Sequence, residues 1–246
     1  MLLNGEKIEY LGNNINVITS KEHHFSTDTI LLANFSAPKN RDNVVELGSG
    51  CGTIPFLWCK KDTPKNIVAV EIQEIATDMI KRSIALNSLE ERVTVINRDL
   101  KKLKGHLPFG HFDLVVCNPP YKISGGGMLN PNEKHKIARH EVLCTIDDIT
   151  KTASSLLRFG GRFCLCQRPE RLSDVLESFR KANIEPKKLR FVQQRTTSAP
   201  KLFLIEGKKG ANKGGLVVLE TLLIESGNGE FSQEMIDIYG TFKKDN

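Results

Sequence analysis

The stretch from residue 112 to residue 121, FDLVVCNPPY, constrains the fold more than any other part of the chain. Its apolar, β-branched first half predicts a buried strand, and the two prolines end that strand abruptly. Neither proline can donate a hydrogen bond to a sheet, and each restricts the residue before it to extended conformations. The sequence therefore predicts a stiff turn beyond the carboxyl end of a strand, the edge of an open α/β sheet where ligands bind.

The turn offers a specific chemistry. The side-chain oxygen of Asn118 and the main-chain carbonyl of Pro119 are two acceptors that together suit a planar –NH2 group. Accepting both hydrogens raises the electron density on that nitrogen and makes it a better nucleophile. Tyr121, which follows Pro120, supplies a ring for stacking, worth about 1–3 kcal/mol per base. By themselves, these four residues are explained equally well as a rigid turn.

A glycine turn lies earlier in the chain, between a predicted strand at 44–47 and a predicted helix at 54–58. Strand, glycine turn and helix in this order open a nucleotide-binding type of α/β unit. The dinucleotide fingerprint is absent, because its third glycine would come one residue after Gly52. Glycines at 48, 50 and 52 therefore allow close approach of a ligand without specifying a pyrophosphate.

Polar side chains follow three successive predicted strands. Glu71 ends the strand at 66–70, Asp99 follows the strand at 92–96, and Asn118 follows the strand at 112–117. Glu71 lies 19 residues after Gly52, the spacing at which a second-strand carboxylate binds ribose hydroxyls. Because the carboxyl ends of parallel strands meet at one edge, we favour a shared site over three unrelated surface residues.

The remaining pattern predicts an α/β fold built on a mostly parallel, seven-stranded sheet with a terminal antiparallel hairpin. We predict a β-hairpin over 6–19, helices at 75–87, 145–159, 170–183 and 231–239, and strands at 162–166, 188–194, 202–206 and 216–224. Gly160 and Gly161 are expected to end the helix at 145–159. The chain is expected to form one domain, 1–246, with an N-terminal hairpin and helix (1–40), a catalytic sheet (41–225) and a C-terminal tail (226–246).

Composition excludes several classes of protein. The 246 residues are 39% hydrophobic, enough for one full core, yet the sequence holds no apolar run of transmembrane length and no signal-peptide pattern. A cytoplasmic location is therefore expected, and the six cysteines are interpreted as free buried thiols. His23 and His24 have no further ligand at metal spacing, so no metal site is predicted.

The net charge of +6 is unevenly distributed. Residues 187–213 contain eight basic side chains against Glu206 alone, a net +7 for this segment. A solvated surface would explain them, and a polyanionic partner is the sharper hypothesis. The eight are Lys187, Lys188, Arg190, Arg195, Lys201, Lys208, Lys209 and Lys213.

With the glycine turn, Glu71, Asp99 and the Asn-Pro-Pro-Tyr turn considered together, the chain resembles the class I S-adenosylmethionine-dependent methyltransferases. The Asn-Pro-Pro-Tyr turn is similar to that of the branch that methylates planar nitrogens in nucleic acid or in glutamine. FSTD at 25–28 with LLANF at 31–35, and IARHE at 137–141, resemble the bacterial tRNA1(Val) (adenine-37-N6)-methyltransferase group. The similarity extends over roughly residues 8–225.

This resemblance implies a Rossmann-like methyltransferase fold, S-adenosylmethionine as cofactor and tRNA as partner. Gly48, Gly50 and Gly52 would pass beneath the methionine part of the cofactor, and Glu46, in place of the more usual Asp, would reach its amino end. Glu71 would hold the ribose hydroxyls with Ile72 against the adenine, Asp99 would accept from the adenine amino group, and Leu100 would form an apolar wall. Asn118 and Pro119 would orient the target amine, and Tyr121 would stack on its ring.

Two motif segments have no role that the residues themselves define. Ser26, Thr27 and Asp28 have the chemistry of a helix N-cap, or they line a cofactor entrance. The glycine-rich loop 125–136 has the composition of a lid, and Arg139, His140 and Glu141 anchor it or act in a way the sequence does not specify.

The implied reaction is methyl transfer to N6 of an adenine in an anticodon loop, where an unpaired base is extruded at least cost. Three alternatives remain open: a glutamine-N5 methyltransferase of proteins, a guanine-N2 methyltransferase of rRNA, and a non-catalytic RNA-binding module on the same fold. Only about 40 residues precede the glycine turn, which disfavours the first, because a protein substrate would call for an N-terminal helical domain.

Overall fold

A computed structural model describes residues 2–61, 64–119, 144–227 and 229–240. The elements in chain order are β1 (Glu6–Gly12), β2 (Ile15–Ser20), α1 (Thr27–Ser36), β3 (Asn43–Leu47), α2 (Thr53–Cys59), β4 (Asn66–Glu71), α3 (Glu74–Leu86), β5 (Val93–Asn97), β6 (Phe112–Cys117), α4 (Ile146–Leu156), β7 (Leu157–Gln167), α5 (Leu172–Lys181), β8 (Ile184–Gln193), β9 (Leu202–Lys209), β10 (Val217–Val218), β11 (Leu222–Leu223) and α6 (Gln233–Tyr239).

The main sheet has the strand order β10-β8-β9-β7-β6-β3-β4-β5, with β11 also paired to β8. Strands β3 to β7 are parallel, and β9 runs antiparallel between β7 and β8. After β5 the chain crosses to the other side of β3 to form β6, so the strand order reverses beside β3. This switch point is where open α/β sheets bind ligands, and the predicted fold is confirmed.

Two details of the predicted fold are wrong. The strand expected at 216–224 forms only the two-residue strands β10 and β11, which pair parallel with β8. The main sheet therefore has nine strands among the described residues rather than seven. The helix expected to reach residue 159 ends at Leu156, and both glycines lie inside β7. A Cβ on Gly161 would lie 2.9 Å from the carbonyl oxygen of Phe112, so this glycine permits a close approach of β6 and β7 rather than a helix end.

Helices and the N-terminal hairpin cover the two faces of the sheet. One hydrophobic cluster joins residues of the hairpin, α1, α2, α3 and α6, including Leu11, Val17 and Met235, and the other lies beneath α4 and α5. Arg82 of α3 forms two hydrogen bonds to the Glu6 carboxylate, at 2.6 and 2.7 Å, and fastens β1 to the body of the protein. Within the described ranges, no helix is long and apolar enough to cross a membrane.

The cysteines are free thiols, as predicted, and all except Cys144 are buried. Cys164 and Cys166 belong to the same hydrophobic cluster, which agrees with their alternation along β7. Burial raises the pKa of the Cys51 and Cys59 thiols to about 11, so these residues are poor nucleophiles at neutral pH.

Candidate functional site

The glycine turn folds over the carboxyl end of β4. The main-chain nitrogens of Gly48 and Ser49 both donate to the carbonyl of Val70, at 2.9 and 3.0 Å. Gly48 and Gly50 have φ values of +73° and +54°, and a Cβ on either would meet nothing within 4 Å. The turn therefore leaves an open cradle above its main chain, which is what close approach of a ligand requires.

Gly52 has a different reason to be glycine. Its φ is +84°, and a Cβ there would lie 2.9 Å from Cε2 of Phe56 and 3.0 Å from Cγ1 of Ile80. The third glycine thus allows α2 to start directly at Thr53 and to pack against α3. Its expected place beneath a cofactor remains a prediction, whereas its packing role is visible in the structure.

Glu46 lies in β3 just before the cradle and has only 2% of its surface exposed. Its Oε2 atom is buried without a hydrogen-bond partner among the described residues. Burial holds the pKa of this carboxyl well above its ordinary range; Ser49 lowers it, and the nearby Glu71 raises it further. A buried carboxyl oxygen without a partner, beside an open cradle, fits the cationic amino end of the implied cofactor.

Glu71, at the end of β4, is buried and holds the cradle in shape. Its carboxylate accepts from the main-chain nitrogens of Gly50, at 2.8 Å, and Gln73, at 2.9 Å. Each carboxylate oxygen has a second lone pair, so the group can still accept from the hydroxyls of a ribose. The expectation that Glu71 belongs to the site, rather than to the outer surface, agrees with this placement.

Asp99 and Leu100 follow β5, whose last residue, Asn97, pairs with Glu71, and Leu100 packs against the hydrophobic cluster beneath α4 and α5. Asp99 accepts from the main-chain nitrogen of Lys101 at 2.9 Å and caps a short 3-10 turn at 100–102. Asn97, which sequence analysis did not single out, donates to the Glu71 carbonyl at 3.0 Å and ties β5 to β4.

Ile72 is 47% exposed directly after Glu71, so an apolar side chain stands open at this edge. An exposed apolar side chain beside the carboxylate that is expected to bind ribose offers a surface on which a planar ring could pack. The expected contact with the cofactor's adenine is a prediction that the placement of Ile72 permits.

Asn118 follows β6 on the other side of β3. Its Nδ2 donates to Oγ1 of Thr29 at 3.1 Å, and its Oδ1 accepts from the Cys166 thiol at 3.1 Å. Pro119 is buried. Pro120 and Tyr121 lie outside the described residues, as do the 125–136 loop and Arg139, His140 and Glu141, so the expectations for them are predictions only.

The residues at the start of α1 do not cap the helix in the expected way. Ser26 occupies the N-cap position but makes no side-chain capping bond. Thr27 instead accepts from the Tyr239 hydroxyl at 3.1 Å, and Thr29 accepts from Asn118. The two threonine hydroxyls therefore bind residues far away in the sequence. Asp28, between them in the sequence, is half-buried.

Titratable ligands do not gather at this site in the manner of a metal centre. Within 2–61, 64–119, 144–227 and 229–240, no group of three His, Cys, Asp or Glu side chains could hold a metal ion. Nδ1 of His24 lies 3.1 Å from the carbonyl oxygen of Lys21, which is a local contact.

The basic segment 187–213 is divided by the topology. Strand β9 runs back from the edge that carries Asn118, so Lys201 lies at that edge while Lys208, Lys209 and Lys213 lie towards the opposite one. Lys187 and Lys188 occupy the first half of β8, which also lies towards the opposite edge.

Several of these charges are engaged internally. Arg190 forms two hydrogen bonds to Glu234, at 2.6 and 2.7 Å, and Arg195 pairs with Glu225. Lys209 donates to the carbonyls of Ser154 and Leu157, Lys187 to those of Asn212 and Gly214, and Lys188 pairs with Glu206. Lys201, Lys208 and Lys213 are exposed. The charge count of the sequence therefore overstates the basic surface available to a partner.

Comparison with known proteins gives one family. A sequence profile described as the methyltransferase small domain matches residues 13–192. A relative from Bacteroides thetaiotaomicron, named tRNA1(Val) (adenine(37)-N6)-methyltransferase, is 27% identical, and the match spans 56% of this chain and 57% of that protein. A relative of the same name from Shewanella woodyi is 22% identical over 88% of this chain and 90% of its own length.

Solved structures agree on the fold. A predicted O-methyltransferase from Agrobacterium tumefaciens superimposes with a TM-score of 0.71 at 19% identity, covering 88% of this chain and 97% of that one. The M. jannaschii protein TYW2 in complex with AdoMet superimposes with a TM-score of 0.56 at 16% identity, covering 85% and 87%. At such identities the likeness establishes the fold alone.

Proposed function

This chain belongs to the methyltransferase small domain family, and on that premise we propose that it methylates N6 of an adenine in the anticodon loop of a tRNA. The cofactor is S-adenosylmethionine, which supplies, when bound, an electrophilic methyl group on a sulfonium centre. The names of the Bacteroides and Shewanella relatives support the tRNA and the adenine nitrogen.

The residues around the cradle fit this cofactor. Glu46 would pair its buried, partnerless oxygen with the amino group, and Gly48 and Gly50 leave the space above the main chain open. Glu71 and Asp99 would accept from ribose hydroxyls and from the adenine amino group through lone pairs that their main-chain contacts leave available.

The observation that carries the nitrogen target is the placement of Asn118. Its amide stands at the end of β6, next to the strand that leads into the cradle, with Nδ2 bound to Thr29. Oδ1 of Asn118 and the carbonyl of Pro119 would accept the two hydrogens of an amino group and orient its lone pair towards the methyl group. Alignment of donor and acceptor then supplies most of the catalysis, and the proton leaves to solvent after transfer.

Replacement of Asn118 tests this role. The change Asn118→Ala should lower the rate of methyl transfer by about 100-fold or more, because an acceptor that orients the nucleophile in the transition state is lost. Affinity for S-adenosylmethionine should remain within about twofold, since the cradle lies on β3 and β4. Calorimetry and single-turnover transfer to tRNA measure the two quantities, and equal losses in both would contradict the assigned role.

The tRNA should approach the sheet edge that carries Asn118. Cys117 pairs with Leu165 of β7, and Leu165 pairs with Ile205 of β9. Asn118 is the next residue after Cys117, so it lies level with Leu204, because β9 runs antiparallel to β7. Lys201 therefore lies about 10 Å beyond this level, at about 3.3 Å per residue. Lys208 lies about 13 Å behind it, towards the far edge. Exposed Arg98 and Lys102, which follow β5, add positive charge to the same edge as Lys201.

Two matched charge reversals test whether tRNA binds at this edge of the sheet. Lys201→Glu should weaken tRNA binding several-fold and flatten its salt dependence, because phosphate contacts release counterions. Lys208→Glu, the same change on an exposed lysine of the same strand region, should leave affinity unchanged at 0.15 M salt, where charges are screened beyond about 8 Å. A larger effect at Lys208 would place the RNA on the opposite edge.

A further inference from the structure

The Asn118 amide is held at both ends by residues that neither the sequence motifs nor the family resemblance assigned. Thr29, in the first turn of α1, accepts from Nδ2, and the thiol of Cys166 donates to Oδ1, each at 3.1 Å. Cys166 is fully buried in β7, the neighbour of β6 in the sheet. The two contacts therefore reach Asn118 from two separate elements.

Two anchors matter because an asparagine amide rotates easily. The torsion that turns the amide plane is broad, so a side chain with one anchor can swing or exchange its oxygen and nitrogen. Exchange would bring –NH2 towards the incoming amine, a donor facing a donor. A thiol is a weak acceptor, so the exchanged orientation would also lose the contact with Cys166.

The thiol also suits an oxygen that must accept a second bond. A carbonyl oxygen has two lone pairs, and a weak S–H donor occupies one of them while withdrawing little electron density. An oxygen with two lone pairs can accept a second hydrogen bond beside that of the thiol, here from the amine of the substrate. A hydroxyl in the same place would compete more strongly for that oxygen.

We infer that Thr29 and Cys166 are positioning residues that fix the Asn118 amide with one Oδ1 lone pair turned towards the amine of the methyl acceptor. This inference rests on the proposed function, because it takes Asn118 as the group that meets that amine.

The first test replaces Thr29. Thr29→Val keeps the shape but removes the acceptor, and kcat for tRNA methylation should fall about tenfold, with KM and cofactor affinity within about twofold. Thr29→Ser restores the oxygen and should return kcat to within about threefold of the wild type. The tenfold loss corresponds to about 1.4 kcal/mol, the order of one hydrogen bond.

Thr27→Val is the matched control. Thr27 lies two residues away and makes a hydrogen bond of the same length, 3.1 Å, but to Tyr239. Its loss should lower the melting temperature as much as Thr29→Val does and leave kcat unchanged. If Thr27→Val lowers kcat equally, or if Thr29→Val leaves it unchanged, the positioning role is overturned.

Cys166→Ala provides an independent arm. Because a thiol is the weaker donor, kcat should fall only about threefold with cofactor affinity unchanged. Should Thr29→Val fail to fold, this variant decides alone, and an unchanged kcat overturns the inference. A wild-type protein that methylates no tRNA adenine would refute the proposed function and this inference together; an active wild type with indifferent variants refutes only the inference.

Discussion

We predict that Glu46 couples cofactor binding to pH, and that its replacement by glutamine lowers the affinity for the cofactor but raises the stability of the free protein. The carboxyl is buried with a partnerless oxygen, and burial raises its pKa well above the ordinary range, so the free protein holds it protonated to higher pH. Binding of a cationic amino group favours the ionised form and should expel about one proton. Glutamine cannot ionise, so Glu46→Gln removes both the charge pair and the proton release.

The expected loss of affinity follows from the charge pair. A hydrogen bond to a charged group contributes about 1.5–3 kcal/mol, so the Kd for S-adenosylmethionine should rise about 10-fold to 150-fold. Glu46→Asp keeps the charge on a shorter arm and should lose less. In the wild type, affinity should increase with pH up to the pKa of the free protein, whereas the variant should show no such dependence.

The expected change in stability has the other sign. Because the folded-state pKa lies above the unfolded one, stability from Glu46 is fully present below the unfolded pKa and is lost as pH rises through the folded value. As the pH rises from the unfolded pKa to the folded pKa, the free energy of unfolding of the cofactor-free variant should increase relative to that of the wild type by up to about 1.4 kcal/mol per pH unit. This corresponds to about 3–5 °C in Tm per pH unit for a chain of this size.

Two assays decide the matter. Calorimetric titration in buffers of different ionisation enthalpy counts the protons released on binding, and thermal unfolding from pH 5 to pH 8 follows the difference in Tm between variant and wild type. If no proton is released, or if the Tm difference does not change with pH, Glu46 does not act as the titrating partner of the cofactor.

Further changes test the cradle and the hairpin. Both Gly48→Ala and Gly52→Ala strain the main chain, because each glycine has a positive φ. Gly48→Ala should also abolish measurable cofactor binding, because its Cβ enters the open cradle, whereas Gly52→Ala should lower Tm by several degrees more through its 2.9 Å clash with Phe56. Calorimetry and thermal unfolding measure the two effects, and equal affinity losses at equal stability would contradict the distinction. Arg82→Leu should destabilise the protein by about 2 kcal/mol, because the half-buried Glu6 carboxylate loses its two hydrogen bonds to a charged group. Arg82→Lys should cost less in denaturant unfolding, and identical losses would show that the paired geometry is unimportant.

Local chemistry made much of this fold predictable. Two prolines after an apolar run and a glycine turn between strand and helix act on their own neighbours, so the ends of β3 and β6 could be located from sequence. The switch of strand order then brings Glu71 and Asn118 to one edge of the sheet. The cradle and the strand-end residues follow from these short-range signals.

Contacts between distant residues could not be predicted in this way. Thr29 and Asn118 are 89 residues apart, and Thr27 and Tyr239 are 212 apart. The local sequence cannot show such partners, so the start of α1 has only the pattern of a helix cap. Gly161 likewise has the pattern of a helix end. In the structure its lack of a side chain instead allows β7 to lie close to the Phe112 carbonyl of β6.

Charge counting overstated the available basic surface for a related reason. The run of basic residues is continuous in sequence, but the antiparallel direction of β9 carries Lys208 away from Lys201. Glu225 and Glu234, which pair with Arg195 and Arg190, lie outside the run and were not counted with it. Only the topology of the sheet tells which charges can face a common partner.

The most direct test of the central claim is the identity of the methylated nucleoside. Labelled S-adenosylmethionine is incubated with the protein and, in parallel, with tRNA, rRNA and protein extract from cells that lack it, and the labelled RNA is digested to nucleosides. We expect label in N6-methyladenosine from tRNA, and we expect Asn118→Ala to abolish it. Label confined to rRNA guanine or to protein glutamine would contradict this expectation, as would bound cofactor without transfer to any of the three.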